Sequence, residues 1–234
     1  MRRSILIKIR AAVVVLDLDD TLYLERDFAR SGYEALAAQF GERIGGPLFA
    51  RECRALLEKG ARGNIFDLAL SRCGIETSPE LIAELVEHYR SHRPEIRFCP
   101  DASRFLDRLG KVATALITDG PRQAQAAKAW ALELDSCLDH VIITGEWSAK
   151  YSKPHPRAFE LVESLTGRSR SELVYIADNG AKDFLAPRRL GWQTVQLLRT
   201  DRIHDGVPPS RDHEADSVVG SFDEIGIATS VDQD

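Results

Sequence analysis

Val13-Val14-Val15-Leu16-Asp17-Leu18-Asp19-Asp20-Thr21-Leu22 decides how this chain is read. Its first four residues are apolar and three are β-branched, which suits a strand buried on both faces of a parallel sheet. The apolar run stops at Asp17, and Asp19 follows two residues later. Open α/β sheets bind ligands beyond the carboxyl ends of their strands, so an acidic pair there is placed for chemistry. Two carboxylates this close repel, so one should ionise readily while its neighbour holds its proton longer. That would set a nucleophile beside a proton donor. The plainer alternative is a strand ending in a polar turn.

The same ending recurs. Thr114-Ala115-Leu116-Ile117 runs into Thr118-Asp119-Gly120. His140-Val141-Ile142-Ile143 runs into Thr144-Gly145-Glu146, with Lys153-Pro154 a short loop further on. Leu173-Val174-Tyr175-Ile176-Ala177 runs into Asp178, and Asp183 lies five residues beyond. A hydroxyl, a lysine and two further carboxylates are thus expected at one end of one sheet.

Composition sets the outer bounds. The 234 residues suffice for one core domain and an insert, and 44% hydrophobic with 29% charged residues is ordinary for a soluble globular protein. The net charge of −5 and the scattered basic residues argue against nucleic-acid binding. Lys8 and Arg10 interrupt the amino-terminal apolar stretch, so no signal peptide is expected, and no segment approaches a membrane span. Cys53, Cys73, Cys99 and Cys137 form no Cys-x-x-Cys pair, which favours reduced thiols and a cytoplasmic setting.

From Asp27 to Ser91 the pattern is helical. Tyr33, Leu36, Ala37 and Phe40 form one stripe, and Leu81, Ile82, Leu85, Val86 and Tyr89 another behind the Ser78-Pro79 start signal. Residues 25–97 therefore read as a helical insert in a core made of residues 1–24 and 98–234. Strands near 112–117, 140–143, 173–177 and 193–197 alternate with helices near 121–134, 156–166 and 181–190. Alternation of this kind predicts a doubly wound, Rossmann-like parallel sheet. Pro187 should kink its helix or end it early. Ala215 to Val219 could add a short strand, Ser221 to Glu224 a turn of helix, and the last residues should fray.

The order Asp-x-Asp-x-Thr (Asp17, Asp19, Thr21), Thr118, Lys153-Pro154 and Asp178-x-x-x-x-Asp183 closely resembles the phosphatase branch of the haloacid dehalogenase superfamily. The resemblance spans residues 13 to about 195, with Ala177 where that family usually has glycine. It implies a core with a small helical cap over the site, and hydrolysis of a phosphomonoester of a small soluble metabolite such as a sugar phosphate, a nucleotide or phosphoglycolate. It further implies Asp17 as nucleophile through an aspartyl-phosphate, Asp19 as general acid and base, and phosphate held by Thr118, the Asp119-Gly120 backbone and Lys153. Four carboxylates against one lysine would repel a phosphate, so a hard cation is required, and the resemblance puts Mg²⁺ on Asp17, the Asp19 carbonyl, Asp178 and Asp183. No membrane partner is expected, and the protein should be a monomer or homodimer.

Other residues receive plainer expectations. Thr21 should cap the turn after Asp20, while Asp20 and Asp119 should be structural or solvated. His88 and His92 should share an exposed helix face, and Arg122 and Lys128 should solvate a helix. Tyr23, Arg26, Arg62 and Asn64 fall near the cap junction and are candidates for substrate selection. Related chemistries remain open at this stage: a phosphomutase would return the phosphoryl group to a sugar, and a dehalogenase would not need Asp19 or Asp178. A receiver-type signalling module would be about half this length with a later lysine, and a non-catalytic binding module should have lost Asp17 or Asp19.

Overall fold

The computed structural model describes residues 6–228. Strand β1 (Ile7–Arg10) leads into β2 (Val13–Leu16), whose four residues are all fully buried. Four helices follow: α1 (Glu25–Phe40), α2 (Gly46–Glu58), α3 (Ile65–Arg72) and α4 (Pro79–Ser91). The chain then alternates through α5 (Pro100–Leu109), β3 (Ala113–Thr118), α6 (Arg122–Ala131), α7 (Leu134–Cys137), β4 (His140–Ile143), α8 (Arg157–Thr166), β5 (Leu173–Ala177), α9 (Leu185–Leu190), β6 (Gln193–Leu197), β7 (Ser217–Val219) and β8 (Ile225–Ala228).

Six strands form one parallel sheet in the order β4-β3-β2-β5-β6-β7. The fold is α/β with a doubly wound, Rossmann-like core. Strand β2 lies between β3 and β5, with Leu16 registered against Leu116 and Ile176. From β2 the winding runs outward through β3 to β4, then returns to β5 on the other side. The carboxyl end of β2 is therefore the topological switch point, where such sheets open a crevice.

Alternation along the strands covers both faces. Val14, Leu16, Leu116, Val174 and Ile176 pack with Phe105, Leu109 and Phe222. Val13, Val15, Ile117 and Tyr175 pack with Phe159, Val162, Phe184 and Trp192 on the other side. The inserted helices close around their own core of Tyr33, Leu36, Phe40, Phe49, Cys53, Leu70 and Leu85. Each buried leucine or phenylalanine contributes roughly 1.5–3 kcal/mol.

Three local expectations are corrected. Helix α9 begins only at Leu185, because residues before it form a turn in which Asp183 Oδ2 accepts from the Asn179 N–H at 2.9 Å. Pro187 then sits in the first turn and removes no helical bond, so it makes no kink. The expected fraying does not begin within the described residues, where Ile225–Ala228 pairs in parallel with Ile7–Arg10 as a small second sheet joining distant segments; residues 229–234, on which the rest of that expectation falls, lie outside the described residues. All four cysteines are free, and no described helix is long and apolar enough to cross a membrane.

Candidate active site

The residues after β2 form a tight turn, with the Thr21 and Leu22 N–H groups donating to the Leu18 carbonyl. Asp20 sits in this turn at φ +52°, a left-handed conformation that strains a non-glycine residue. Its buried carboxylate holds it there, accepting from the Glu25 N–H at 2.9 Å and the Ile203 N–H at 2.6 Å. Asp20 is thus structural. Thr21 does not cap the turn: its hydroxyl is buried with no hydrogen-bond partner among the described residues, while its carbonyl accepts two bonds from Arg199.

Asp17 is buried at the end of β2. Lys153 Nζ stands 2.6 Å from Asp17 Oδ1 and 2.7 Å from Asp183 Oδ1, and donates to the Tyr175 hydroxyl at 2.9 Å. Asp17, Asp178 and Asp183 each present a carboxylate oxygen within 4.8 Å of the others. Burial, offset partly by Lys153, raises Asp17 to about 6. Asp178 rises further, to about 9, through burial and its neighbours Asp17 and Asp183. Its Oδ2 is buried without a hydrogen-bond partner among the described residues.

Asp19 has a different environment. Its Oδ1 accepts from Lys128 Nζ at 2.7 Å and from the Tyr23 hydroxyl, and its Oδ2 from Gln125 Nε2 at 3.3 Å. Burial acts to raise it, but Lys128 and Tyr23 together hold it below the ordinary carboxylate range. The two acids are therefore set apart by separate partners rather than by mutual repulsion. Their order is the reverse of the one the resemblance implies, with Asp17 raised and Asp19 lowered.

The sequence-predicted residues divide accordingly. Asp17, Lys153, Asp178 and Asp183 come together. The Asp19 carboxylate stands outside the three-carboxylate cluster, facing Lys128. Asp17, Asp19, Asp119, Gly120 and Asp178 line a cavity of about 430 Å³ between the strand ends and the inserted helices; Thr118 and Lys153 do not. The Thr118 hydroxyl is buried and donates to Gln125 Oε1 at 3.0 Å. Asp119 accepts from the Thr144 hydroxyl at 2.6 Å and the Lys153 N–H at 3.2 Å, tying the end of β3 to the end of β4 and the loop that follows it.

Residues 11–191 match the model of the haloacid dehalogenase-like hydrolases. A glyceraldehyde 3-phosphate phosphatase of Pyrococcus furiosus is 30% identical over 195 residues, 80% of each chain. The chain belongs to the haloacid dehalogenase-like hydrolase family. An (S)-2-haloacid dehalogenase of Xanthobacter autotrophicus is 28% identical over 56% of this hydrolase and 55% of its own length. Among solved structures, a HAD-superfamily hydrolase of subfamily IA from Geobacter sulfurreducens superposes with a TM-score of 0.64 at 19% identity, covering 92% of this chain and 94% of that one. The HAD-hydrolase YfnB of Bacillus subtilis, solved bound to magnesium, gives 0.62 at 16%, covering 92% and 96%.

Several residues of this hydrolase escape a sequence reading. Lys128 is not a solvated helix residue: it is 3% exposed and paired with Asp19. Gln125 links Thr118 to Asp19, and Lys182 lines the cavity 3.7 Å from Asp119. The spacing from Thr118 to Gln125 and Lys128, with the latter pair on one helix face, was the available signal. His92 is not exposed but packs on Phe28 at 4.8 Å, while His88 stays on the surface. Tyr23, Arg26, Arg62 and Asn64 do not line the cavity, although their neighbours Glu25, Gly63 and Ile65 do. Arg26 instead pairs with Asp201, and Arg62 donates to the Ile203 carbonyl, so the 199–206 loop fastens the insert to the core.

Proposed function

We propose that this hydrolase cleaves a phosphomonoester of a small organic molecule, with Asp17 as nucleophile, Asp19 as general acid and base, and Mg²⁺ as cofactor. The convergence of Asp17, Asp178, Asp183 and Lys153 on one strand-end crevice carries this reading. Relatives named glyceraldehyde 3-phosphate phosphatase support the phosphate-ester chemistry.

The donor set fits a hard cation. All three groups are carboxylates, and the Asp178 oxygen that has no hydrogen-bond partner among the described residues belongs to a carboxyl raised by burial and then by Asp17 and Asp183, an environment that a cation would relieve. Asp17, Asp178 and Asp183 would hold the ion, which when bound keeps Asp17 ionised and withdraws charge from phosphoryl oxygens.

An Asp17 oxygen attacks phosphorus in line, and the bond from phosphorus to the leaving oxygen breaks. Asp19 gives its proton to that oxygen, then takes one from the water that opens the aspartyl-phosphate and releases inorganic phosphate. The arriving phosphoryl group competes for Lys128 and raises the affinity of Asp19 for a proton. Lys153, behind Asp17 and out of the cavity, orients the nucleophile; Lys182, on the cavity wall, meets the phosphate. Thr118 acts through Gln125 on Asp19. The inserted helices serve as the cap, and their domain spans 25–97. A dehalogenase has no use for the Asp19 carboxylate, here held by three donors.

The test is hydrolysis of an aryl phosphate with Mg²⁺. Chelator should abolish it, and Asp17→Asn should remove it while leaving the circular dichroism unchanged. Full activity in Asp17→Asn would reject the mechanism.

A further inference from the structure

The catalytic carboxylates occupy only one wall of the cavity. The opposite wall comes from three inserted helices: Phe28 and Tyr33 of α1, Phe66 of α3, and Ile82, Val86 and Tyr89 along one face of α4. Tyr89 is the hub. Its ring lies 5.4 Å from Phe28 and 5.6 Å from Phe66, both edge-on, and 5.8 Å from Tyr33, nearly stacked. These are the separations and tilts at which aromatic rings attract. Gly32 makes room for this arrangement, since a Cβ there would stand 2.4 Å from the Tyr89 ring. A glycine inside a helix is unfavourable, so its use there is explained by the ring it admits.

The charged groups on this side sit at its two edges: Glu25, at the start of α1, faces the carboxylate end, where burial and Asp19 raise it to about 7, and Asp67 and Arg90 are exposed at the rim. Burial raises the Tyr33 and Tyr89 phenols, so both stay neutral. A polyhydroxylated ester would turn its hydroxyls toward rings and branched aliphatics, which cannot replace the water they lose. A flat, apolar group would instead continue the ring packing already present.

We propose that the natural substrate carries an aromatic alcohol: an aryl or arylmethyl phosphomonoester, its phosphate at Asp17 and its ring among Phe28, Phe66 and Tyr89. This rests on the phosphatase reading and narrows it. Triose or sugar phosphates would be poor substrates. A site shaped for one apolar group discriminates by about 10–200-fold against a misfit.

Binding separates this from leaving-group reactivity. With Mg²⁺ and the full-length protein, calorimetry compares phenylphosphonate, butylphosphonate and 2,3-dihydroxypropylphosphonate, none of which is hydrolysed. The aryl compound should bind at least about tenfold tighter than either other. Gly32→Ala, whose Cβ would displace the Tyr89 ring from its present packing, and Phe66→Leu, which keeps apolar bulk but loses the ring, should each erase most of that preference. Equal binding of the three, preference for the diol or the alkyl chain, no binding, or an unchanged preference in both variants overturns the proposal. Aryl preference with no turnover of phenyl phosphate upholds the ring-binding wall but refutes the phosphatase reading, and the aryl ester as substrate with it. Turnover of all esters with no binding preference does the reverse.

Discussion

Lys128 Nζ stands 2.7 Å from Asp19 Oδ1, joining the last turn of α6 to the turn after β2. Lys128 is almost wholly buried and Asp19 only slightly open, so neither charge is well solvated alone. Removing one partner of a fully buried pair costs about 3–5 kcal/mol, and the partial exposure of Asp19 reduces this. Lys128→Met should therefore destabilise the protein by roughly 2–3 kcal/mol in urea denaturation. Adding Asp19→Asn should restore part of the loss, giving a coupling above about 1 kcal/mol. Additive effects would show that the two groups do not share an ion pair.

The cation reading makes a second, sharper contrast. Mg²⁺ bound only by the folded protein, at a hundredfold over its dissociation constant, adds about 2.7 kcal/mol. For a chain of this size that raises Tm by roughly 5–10 °C. The shift should vanish with chelator and in Asp178→Asn, yet persist in Asp19→Asn, whose carboxylate stands outside the cluster. Loss of the shift in Asp19→Asn as well would move the metal site.

How far the sequence carried this reading follows from where the information sits. Strand ends are local: an apolar run followed by Asp17, Thr118 or Asp178 declares both the element and its polar tip. The sheet and its carboxylates were legible for that reason. Lys128 and Gln125 were not, because a polar residue on a helix is usually solvated, and only packing of α6 over Asp19 buries them. Tyr175 read as core, and its ring is, yet its hydroxyl receives Lys153. Tyr33 and Tyr89 read as helical core stripes, and their position over the cavity depends on how α1, α3 and α4 meet. The pairing of Ile7–Arg10 with Ile225–Ala228 spans nearly the whole chain, beyond any local pattern.

The 199–214 loop, unreadable in sequence, is anchored by Arg199, which pairs with Asp101 at 2.9 Å. Burial would raise Asp101, but Arg199, the Phe222 N–H and the Ser221 hydroxyl bring it below the usual carboxylate range. A lowered folded pKa gives stability that is present above the unfolded value near 3.9 and lost as pH falls through the folded one. Asp101→Asn should thus cost roughly 2 kcal/mol at pH 7, with the gap to wild type closing as pH falls below about 3.9. Urea midpoints of both proteins across this range provide the check, and a gap independent of pH would mean that packing, not charge, is lost.

Gly145 shows how closely the strand-end loops are packed. A Cβ at this position would fall 2.0 Å from the Gly120 carbonyl oxygen and 2.9 Å from the Arg122 nitrogen, so backbone must move to admit it. Gly120 lines the cavity beside Asp119, and α6 begins at Arg122 and carries Gln125 and Lys128 to Asp19. Gly145→Ala therefore displaces the cavity wall and the partners of the proton-transfer group together. Misplacement of about 1 Å can cost 10²-fold in rate. Activity on an aryl phosphate should drop by about that factor, while Tm falls by only a few degrees because the sheet beneath is untouched. Near-normal turnover in Gly145→Ala would show that the Gly120 loop takes no part in holding the phosphate.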